Sequence, residues 1–273
     1  MPRVVLVTGC TTSGIGYALA KEFADKGCIV YASSRKIEKM ADFGHPNIHK
    51  LALDVTSDQN VQDVVQEILS KEGKIDIVVN NAGAICPGPL IDNSLDDVRA
   101  IFETNTISIL RIAKTVIPEM AKRKQGLIVN IGSVVGEVPT PWNGIYCASK
   151  AAVLSISQVL SMECRPLGIK VFHVAPGAVQ SNIANTGAAN FSLPENSLYK
   201  SYLANIMDRI YSSQGSNSMS SGVFAKRVVA KALQPNPPVY LCEGGNAWLF
   251  KLFMWLPRVA VLGFMWRRFS KKL

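Results

Sequence analysis

Residues 4–16 read VVLVTGCTTSGIG, and this stretch decides the fold. The apolar run Val4–Val7 predicts a buried strand, and the pattern Ile15–Lys26 predicts a helix. Glycines in the intervening turn permit a tight bend and close approach of the backbone to a pyrophosphate. The helix N-terminus then supplies unpaired N–H groups and the positive end of a dipole. The residues predicted to hold the cofactor phosphates are Gly9, Gly14, Ile15 and Gly16.

Further apolar runs alternate with helical patterns along the chain. The predicted strands are 28–32, 49–53, 75–79, 127–131, 171–174 and 239–242, and the predicted helices are 59–71, 96–122 and 145–164. Buried runs alternating with amphipathic helices indicate βαβ units and a parallel sheet covered on both faces. A polar stretch at 178–221, with one helix expected inside it, interrupts this rhythm and is the expected substrate region. We therefore expect one α/β domain over residues 1–246.

The end of the second predicted strand reads Ala32-Ser33-Ser34-Arg35-Lys36. Sites for NAD usually place an acidic residue here, on the ribose 2′-hydroxyl. None is present, and Arg35 could instead bind a 2′-phosphate, helped by the hydroxyls of Ser33 and Ser34. This pattern favours NADPH over NADH. The alternative is that Arg35 and Lys36 form a solvated turn.

A tyrosine and a lysine lie one helical turn apart in Tyr146-Cys147-Ala148-Ser149-Lys150. An adjacent ammonium would lower the pKa of the phenol, which could then exchange a proton with a carbonyl oxygen. Ser133 closes the fifth predicted strand, at the sheet edge where open α/β sheets bind ligands. The alternatives are a chance surface pair and a turn-forming serine.

Together these motifs resemble the short-chain dehydrogenase/reductase family. The resemblance covers residues 3–245 and rests on TGxxxxGIG, Asn80-Asn81-Ala82-Gly83, Ser133, YxxxK and Pro176-Gly177, in that order. It implies a single Rossmann-type, doubly wound domain with a seven-stranded parallel sheet. It also implies that Tyr146 is the general acid/base and that Lys150 binds the nicotinamide ribose.

The same resemblance implies roles for several other residues. Ser133 would orient the carbonyl, and Asn105 would support a proton-relay water near Lys150. The remaining predicted cofactor contacts are Asp54 at the adenine, Asn81 in the cofactor wall, and Pro176 and Gly177 beside the nicotinamide. The glycine loop departs from the common pattern, because four residues rather than three separate Gly9 from Gly14.

The long glycine loop, Arg35 and the C-terminal tail are also similar to the 1-acyldihydroxyacetone-phosphate reductases of fungi and plants. That resemblance implies NADPH-dependent reduction of an amphiphilic ketone to lysophosphatidic acid. One alternative is a hydroxysteroid, retinoid or other terpenoid ketone/alcohol dehydrogenase. Another is a non-catalytic membrane-surface or scaffold protein, which the complete set Ser133, Tyr146, Lys150 and Asn105 argues against.

Residues 247–273 read AWLFKLFMWLPRVAVLGFMWRRFSKKL and contain six basic and no acidic side chains. The 273-residue chain has a net charge of +9, but its first 246 residues carry 23 basic and 20 acidic side chains. This nearly balanced body argues against nucleic-acid binding. Pro257 and Arg258 divide the tail into apolar pieces of eight or nine residues, whereas a bilayer span needs about 20.

We therefore predict that the tail lies in a membrane interface, with its tryptophans at the boundary and its cations on anionic headgroups. The expected location is the endoplasmic reticulum membrane or a lipid droplet, facing the cytosol. The alternative is a helix packed over the substrate pocket or at a dimer seam of a cytoplasmic protein. The family resemblance makes a homo-oligomer plausible.

Six scattered cysteines, without a CxxC pair, and only three histidines predict no metal site. Reduced thiols packed as small hydrophobic groups are the expected state. The N-terminal apolar run is too short for a signal peptide, so we expect synthesis in the cytosol.

Overall fold

A computed structural model of the chain describes residues 1–270. In this part of the chain seven parallel strands form one sheet in the order β3-β2-β1-β4-β5-β6-β7. The strands are β1 Val4–Val7, β2 Ile29–Ser34, β3 Ile48–Ala52, β4 Ile77–Asn80, β5 Gly126–Ile131, β6 Ile169–Pro176 and β7 Tyr240–Glu243. The predicted Rossmann-type, seven-stranded parallel sheet is confirmed.

Helices cover both faces of the sheet. They are α1 Ile15–Asp25, α2 Asp58–Glu72, α3 Leu95–Phe102, α4 Ser108–Lys122, α5 Gly144–Glu163, α6 Ile183–Ala189, α7 Leu203–Tyr211, α8 Ser221–Ala232, α9 Ala247–Phe253 and α10 Arg258–Phe269. Val5 and Val7 of β1 pack towards α1 and α8, whereas Val4 and Leu6 pack towards α2 and α4. Because successive strand residues face opposite sides, both helical layers require β1 to be apolar throughout.

Two regions differ from the predicted helices. The single helix expected over 96–122 is interrupted by a π-helical turn, Glu103–Ile107, which separates α3 from α4. The Ser108 hydroxyl donates to the Thr104 carbonyl oxygen (2.7 Å) at the end of this turn. The 178–221 region contains two α-helices, α6 and α7, where the sequence predicted one.

The glycine loop is packed too closely for side chains at two of its positions. Gly9 has φ of +73°, and a Cβ there would lie 2.8 Å from Ala82 Cα. A Cβ on Gly16 would lie 2.5 Å from the Gly9 carbonyl oxygen. The longer loop absorbs its additional residue in a turn, in which Ser13 takes φ of +61° and Gly14 N donates to Thr11 O (3.0 Å). Helix α1 therefore still begins directly after Gly14.

The tail packs one of its faces onto the domain. Phe253, Val261 and Met265 are buried and form a cluster with Val138. Trp142 Nε1 donates to the Phe269 carbonyl oxygen (2.7 Å), and a guanidinium of Arg258 donates to a backbone carbonyl at Glu137 (2.9 Å). The opposite face of α9, α10 and the turn between them is exposed and apolar; its most exposed large side chains are Trp248, Trp255 and Val259.

Gly16→Ala tests the packing of the glycine loop. The added methyl group meets the Gly9 backbone and the Asn81 side chain, so we expect it to lower the free energy of unfolding by about 1–3 kcal/mol. Gly222→Ala in α8 is the matched control, because a Cβ there meets nothing within 4 Å. Chemical denaturation of both variants measures the difference. Equal stabilities would show that the loop is not tightly packed.

Candidate active site

A cleft of about 1340 Å³ lies along the carboxyl ends of the strands. Parallel strands all end on this edge, so residues distant in sequence meet there. Its lining includes every predicted site residue except Gly16, Ser33 and Asn105, which are buried behind the wall. The glycine loop and Arg35 form one end of the cleft. Helix α7 and the inner face of the tail form the other.

Helix α5 places Tyr146 and Lys150 on its cleft side, and β5 places Ser133 opposite them. Lys150 Nζ lies 5.7 Å from the centroid of the Tyr146 ring and donates to the Ile131 carbonyl oxygen (2.8 Å). The Ser133 hydroxyl forms a hydrogen bond with the Tyr146 side chain and accepts one from Val135 N (3.3 Å). The structure therefore brings the three predicted catalytic side chains together.

Burial shifts the pKa values of both Tyr146 and Lys150. It raises the pKa of Tyr146 to about 12, although the hydrogen bond with Ser133 opposes that rise. It lowers the pKa of Lys150 to about 8, because a buried ammonium loses its hydration. The sequence predicted that Lys150 would lower the pKa of Tyr146, and that direction is wrong because loss of phenolate hydration dominates. At neutral pH Tyr146 is thus a protonated donor beside a largely charged Lys150.

Asn105 lies in the π-helical turn and is buried. Its Oδ1 accepts from Ala84 N (2.8 Å), while its Nδ2 donates to Ala84 O (2.9 Å) and Ser149 Oγ (3.0 Å). A Cβ on Gly83 would lie within 4 Å of both Asn105 Oδ1 and Lys150 Nζ. Asn105 therefore connects the segment after β4 to α5 and lies close to the lysine.

At the other end of the cleft, Asn81 fastens the glycine loop. Its Nδ2 donates to the carbonyl oxygens of Thr8 (2.9 Å) and Gly9 (3.1 Å). The α1 N-terminus and the side-chain-free cradle at Gly9 and Gly16 suit a pyrophosphate, so these residues fit a dinucleotide. At the end of the cleft where the sequence predicted the nicotinamide, Pro176 closes β6, and Gly177 N donates to the Glu243 carbonyl oxygen (2.8 Å).

Arg35 is exposed on the cleft at the end of β2, where the sequence predicted it. Burial alone would raise the pKa of Asp54, but hydrogen bonds from Thr56 and the charge of Arg35 outweigh it and hold that pKa below its usual range. Ser34 also faces the cleft. The expected help from Ser33 is wrong, because its hydroxyl is buried and donates to the Val7 carbonyl oxygen (3.1 Å).

Sequence reasoning missed several residues of the substrate end. Thr140, Trp142 and Arg209 line the cleft, and the tail adds an apolar wall. The tail residues in that wall are Leu249, Phe250, Phe253, Phe264, Met265 and Phe269. Arg209 stands in a polar segment whose pattern predicted a helix but not which face the helix would turn to the cleft. The apolar tail residues were visible as a pattern and were interpreted as a membrane surface.

The arrangement suits proton transfer to a carbonyl or from an alcohol. A protonated phenol and a hydroxyl group converge on one point of the cleft, with an ammonium group behind them. Such a pair can hold a substrate oxygen and exchange a proton with it. The cradle for a dinucleotide lies in the same cleft.

Comparisons with known proteins agree with this chemistry. Residues 3–190 match the short chain dehydrogenase family. The chain is 36% identical over 210 residues to an NADPH-dependent 1-acyldihydroxyacetone phosphate reductase of Schizosaccharomyces pombe, covering 76% of this chain and 71% of that protein.

Two solved structures are also similar. A short-chain dehydrogenase from Streptomyces avermitilis has a TM-score of 0.82 and 28% identity, over 99% of this chain and 98% of that one. A serine dehydrogenase complexed with NADP+ has a TM-score of 0.75 and 25% identity, over 87% and 93%. The chain therefore belongs to the short-chain dehydrogenase/reductase family and is an oxidoreductase acting on CH–OH and C=O groups that binds a nicotinamide cofactor.

Proposed function

We propose that the protein is an NADPH-dependent reductase of an acylated keto-lipid, with 1-acyldihydroxyacetone phosphate as substrate and lysophosphatidic acid as product. The observation that carries this proposal is the composition of the cleft. Its catalytic end holds Tyr146, Ser133 and Lys150, and its outer wall is built from apolar side chains of the tail. A polar ketone head and a long acyl chain match these two halves. The name of the fission-yeast relative supports the same substrate.

Arg35 supports the preference for NADPH. Its guanidinium lies at the end of β2 with the adjacent Ser34 hydroxyl, and an acidic residue is missing where an NAD site places one. A guanidinium suits a 2′-phosphate, because it is always charged and can donate two parallel hydrogen bonds. The NADPH dependence of the relative and the NADP+ complex of the structural neighbour support this preference.

Residues of the protein would supply the proton that the reduction consumes. Bound NADPH supplies the hydride that reduces the ketone carbon. Tyr146 donates its phenolic proton to the ketone oxygen, which Ser133 holds in place. The Lys150 ammonium then stabilises the phenolate left behind, because opposite charges in a poorly hydrated site attract strongly. Asn105 keeps α5 and the segment after β4 in register around this group.

Purified protein should reduce 1-palmitoyl-dihydroxyacetone phosphate in preference to other ketones. We expect its kcat/KM to exceed the values for a steroid ketone and for retinal by at least about tenfold, because the wall suits a flexible chain. Loss of reduced-cofactor absorbance measures each rate, with NADPH and NADH in parallel. A higher kcat/KM for the steroid or the retinoid would replace this proposal with the terpenoid alternative. A preference for NADH would contradict the role of Arg35.

Tyr146→Phe removes the proposed proton donor and little else. We expect kcat to fall by at least about 100-fold, because general acid catalysis contributes that much, while the Kd for NADPH stays unchanged. Tyr31→Phe is the matched control: that phenol also donates a hydrogen bond, to Glu72 (2.8 Å), but lies outside the cleft. Steady-state rates and fluorescence titration with NADPH measure both effects. Turnover by Tyr146→Phe equal to that of the control would refute the acid/base assignment.

We also propose that the exposed face of the tail binds a membrane or lipid-droplet surface facing the cytosol. Trp248, Trp255 and Val259 are 69%, 87% and 84% exposed, although they are large apolar side chains. Lys251 and Arg267 lie on the same two helices and are exposed. Neither helix is long enough to cross a bilayer, so this face would lie in the interface. Lys271 and Lys272 lie outside the described residues.

Among residues 1–270, only α5 is long and apolar enough to cross a membrane. It carries Tyr146 and Lys150 and packs against β6, so it belongs to the catalytic domain. We therefore assign membrane binding to the exposed face of the tail and not to α5. A lipid substrate could then reach the cleft without leaving the interface.

A triple variant, W248S/W255S/V259S, tests the membrane proposal without disturbing the buried face of the tail. We expect the parent protein to float with vesicles containing anionic lipid and the variant to stay in the aqueous fraction. Each lost aromatic or aliphatic contact weakens partitioning by about 1.5–3 kcal/mol at full burial. The control is M162S/L167S/V239S, whose exposed apolar side chains lie near the amino ends of the strands. Flotation of both variants alike would overturn the proposal.

A further inference from the structure

Arg209 projects from α7 into the substrate end of the cleft. Its Nε donates to Thr140 Oγ (2.8 Å) and its Nη1 donates to Ser212 Oγ (3.0 Å). Its Cζ lies 5.5 Å from the centroid of the Phe269 ring. Two neutral hydroxyl groups and an aromatic face therefore fix the guanidinium in one orientation. A side chain held in this way is pre-organised to bind a ligand.

The charge of Arg209 has no acidic counterpart in the part of the chain that the structure describes. Within residues 1–270, no carboxylate lies within ion-pair distance of it, whereas Arg111 bonds to Asp58 and Glu103. Burial lowers the pKa of Arg209, and the titratable groups that act against this are Tyr146 and Cys147 rather than an acid. A partly buried cation without an acidic partner is unfavourable, and an anionic ligand would offset that cost.

The anion that would pair with Arg209 is not a phosphate group of the cofactor. Arg35 and the glycine loop occupy the opposite end of the cleft, on β2 and α1. Arg209 instead faces the catalytic side, since its charge acts on Tyr146 and it shares Thr140 with Cys147, the residue after the catalytic tyrosine. An anion on Arg209 would thus lie beside the reacting oxygen.

We propose that Arg209, supported by Thr140, Ser212 and Phe269, forms an anion subsite that binds the phosphate monoester of the substrate. In an acylated dihydroxyacetone phosphate, one methylene separates the ketone carbon from the phosphate ester oxygen, so a ketone held by Tyr146 has its phosphate close by, as the charge interaction of Arg209 with Tyr146 requires. The acyl chain would lie along the other tail phenylalanines that line the cleft, Phe250, Phe253 and Phe264. This inference rests on the proposed function and adds the residue that would select phosphorylated ketones over neutral ones.

A matched pair of substrates tests the subsite. The probes are 1-palmitoyl-dihydroxyacetone phosphate and 1-palmitoyl-dihydroxyacetone, which differ only in the phosphate. We expect R209M to lower kcat/KM for the phosphorylated ketone by about 30-fold or more, as loss of one partner of a buried charge pair does. The value for the neutral ketone should change by less than about threefold, within the effect of a small packing change. R209K should recover part of the loss, and R165M, which alters an exposed arginine outside both the cleft and the tail, should match the parent.

An equal loss on both substrates would overturn the subsite, because it would mean that Arg209 acts on Tyr146 or on folding. If R209M does not fold, R209Q replaces it, since glutamine can keep the Thr140 hydrogen bond without the charge. Binding of glycerol 3-phosphate, with glycerol as the uncharged comparison, is followed by calorimetry on the protein–NADPH complex. Retained binding in the charge-removing variant refutes the subsite. Lost binding in a protein that does not reduce the acylated ketone supports the subsite while rejecting the proposed substrate.

Discussion

The buried ammonium of Lys150 is the constraint on which the rest of the site depends. It donates a hydrogen bond to the Ile131 carbonyl oxygen, at the end of β5, and within residues 1–270 no carboxylate forms an ion pair with it. Helix α5 must therefore lie close to the sheet. A Cβ on Gly136 would lie only 2.7 Å from the Lys150 carbonyl carbon, which shows how close that packing is. The same contact sets the height of Tyr146 above the cleft and its distance from Ser133.

Placing a lysine there is unfavourable for folding and useful for chemistry. Burial lowers its pKa to about 8 and raises that of Tyr146 to about 12, so each group is shifted towards its neutral form. A neutral phenol can give up its proton, and an ammonium within reach stabilises the charge that develops. The π-helical turn contributes by bringing Asn105 against Ser149 and the segment after β4. Local backbone geometry is thus used to position a catalytic pair that the sheet alone would leave loosely held.

The sheet could be predicted because β1 must be apolar on both faces, and the cofactor loop because Gly9 and Gly16 have no room for a side chain. The catalytic pair followed from helical spacing. The pKa direction of Tyr146 could not be predicted, since it depends on desolvation, which spacing does not report. The prediction that Ser33 helps to bind the 2′-phosphate was wrong for a related reason. The sequence does not show whether a hydroxyl near a strand end points to the cleft or, as here, into the core. Arg209 was missed because the apolar pattern of α7 identifies the side of the helix that is buried, but not that an arginine on this helix lines the cleft.

The tail has two faces, one packed onto the domain and one exposed to solvent. Its inner side chains, among them Phe253 and Met265, complete the wall of the cleft and pack against Val138, while Trp248 and Trp255 remain exposed. The sequence offered a membrane surface and a pocket cover as alternatives, but two faces of the same helices can serve both. A substrate with a charged head and an apolar chain requires a site that is polar within and apolar at its rim. The tail would provide the apolar rim, and Tyr146, Ser133 and Lys150 would provide the polar interior.

The most direct test of this account is the titration of Lys150 itself. Protein labelled with carbon-13 at the lysine Cε, without cofactor, can be followed by NMR as the pH is raised, with Lys150→Arg identifying the signal. The account predicts one lysine that loses its proton near pH 8, as the burial-lowered pKa requires, while Tyr146 remains protonated. A Lys150 that titrates at or above the ordinary lysine value of 10.5 would contradict it, because the ammonium would then be hydrated or paired rather than buried beside the phenol.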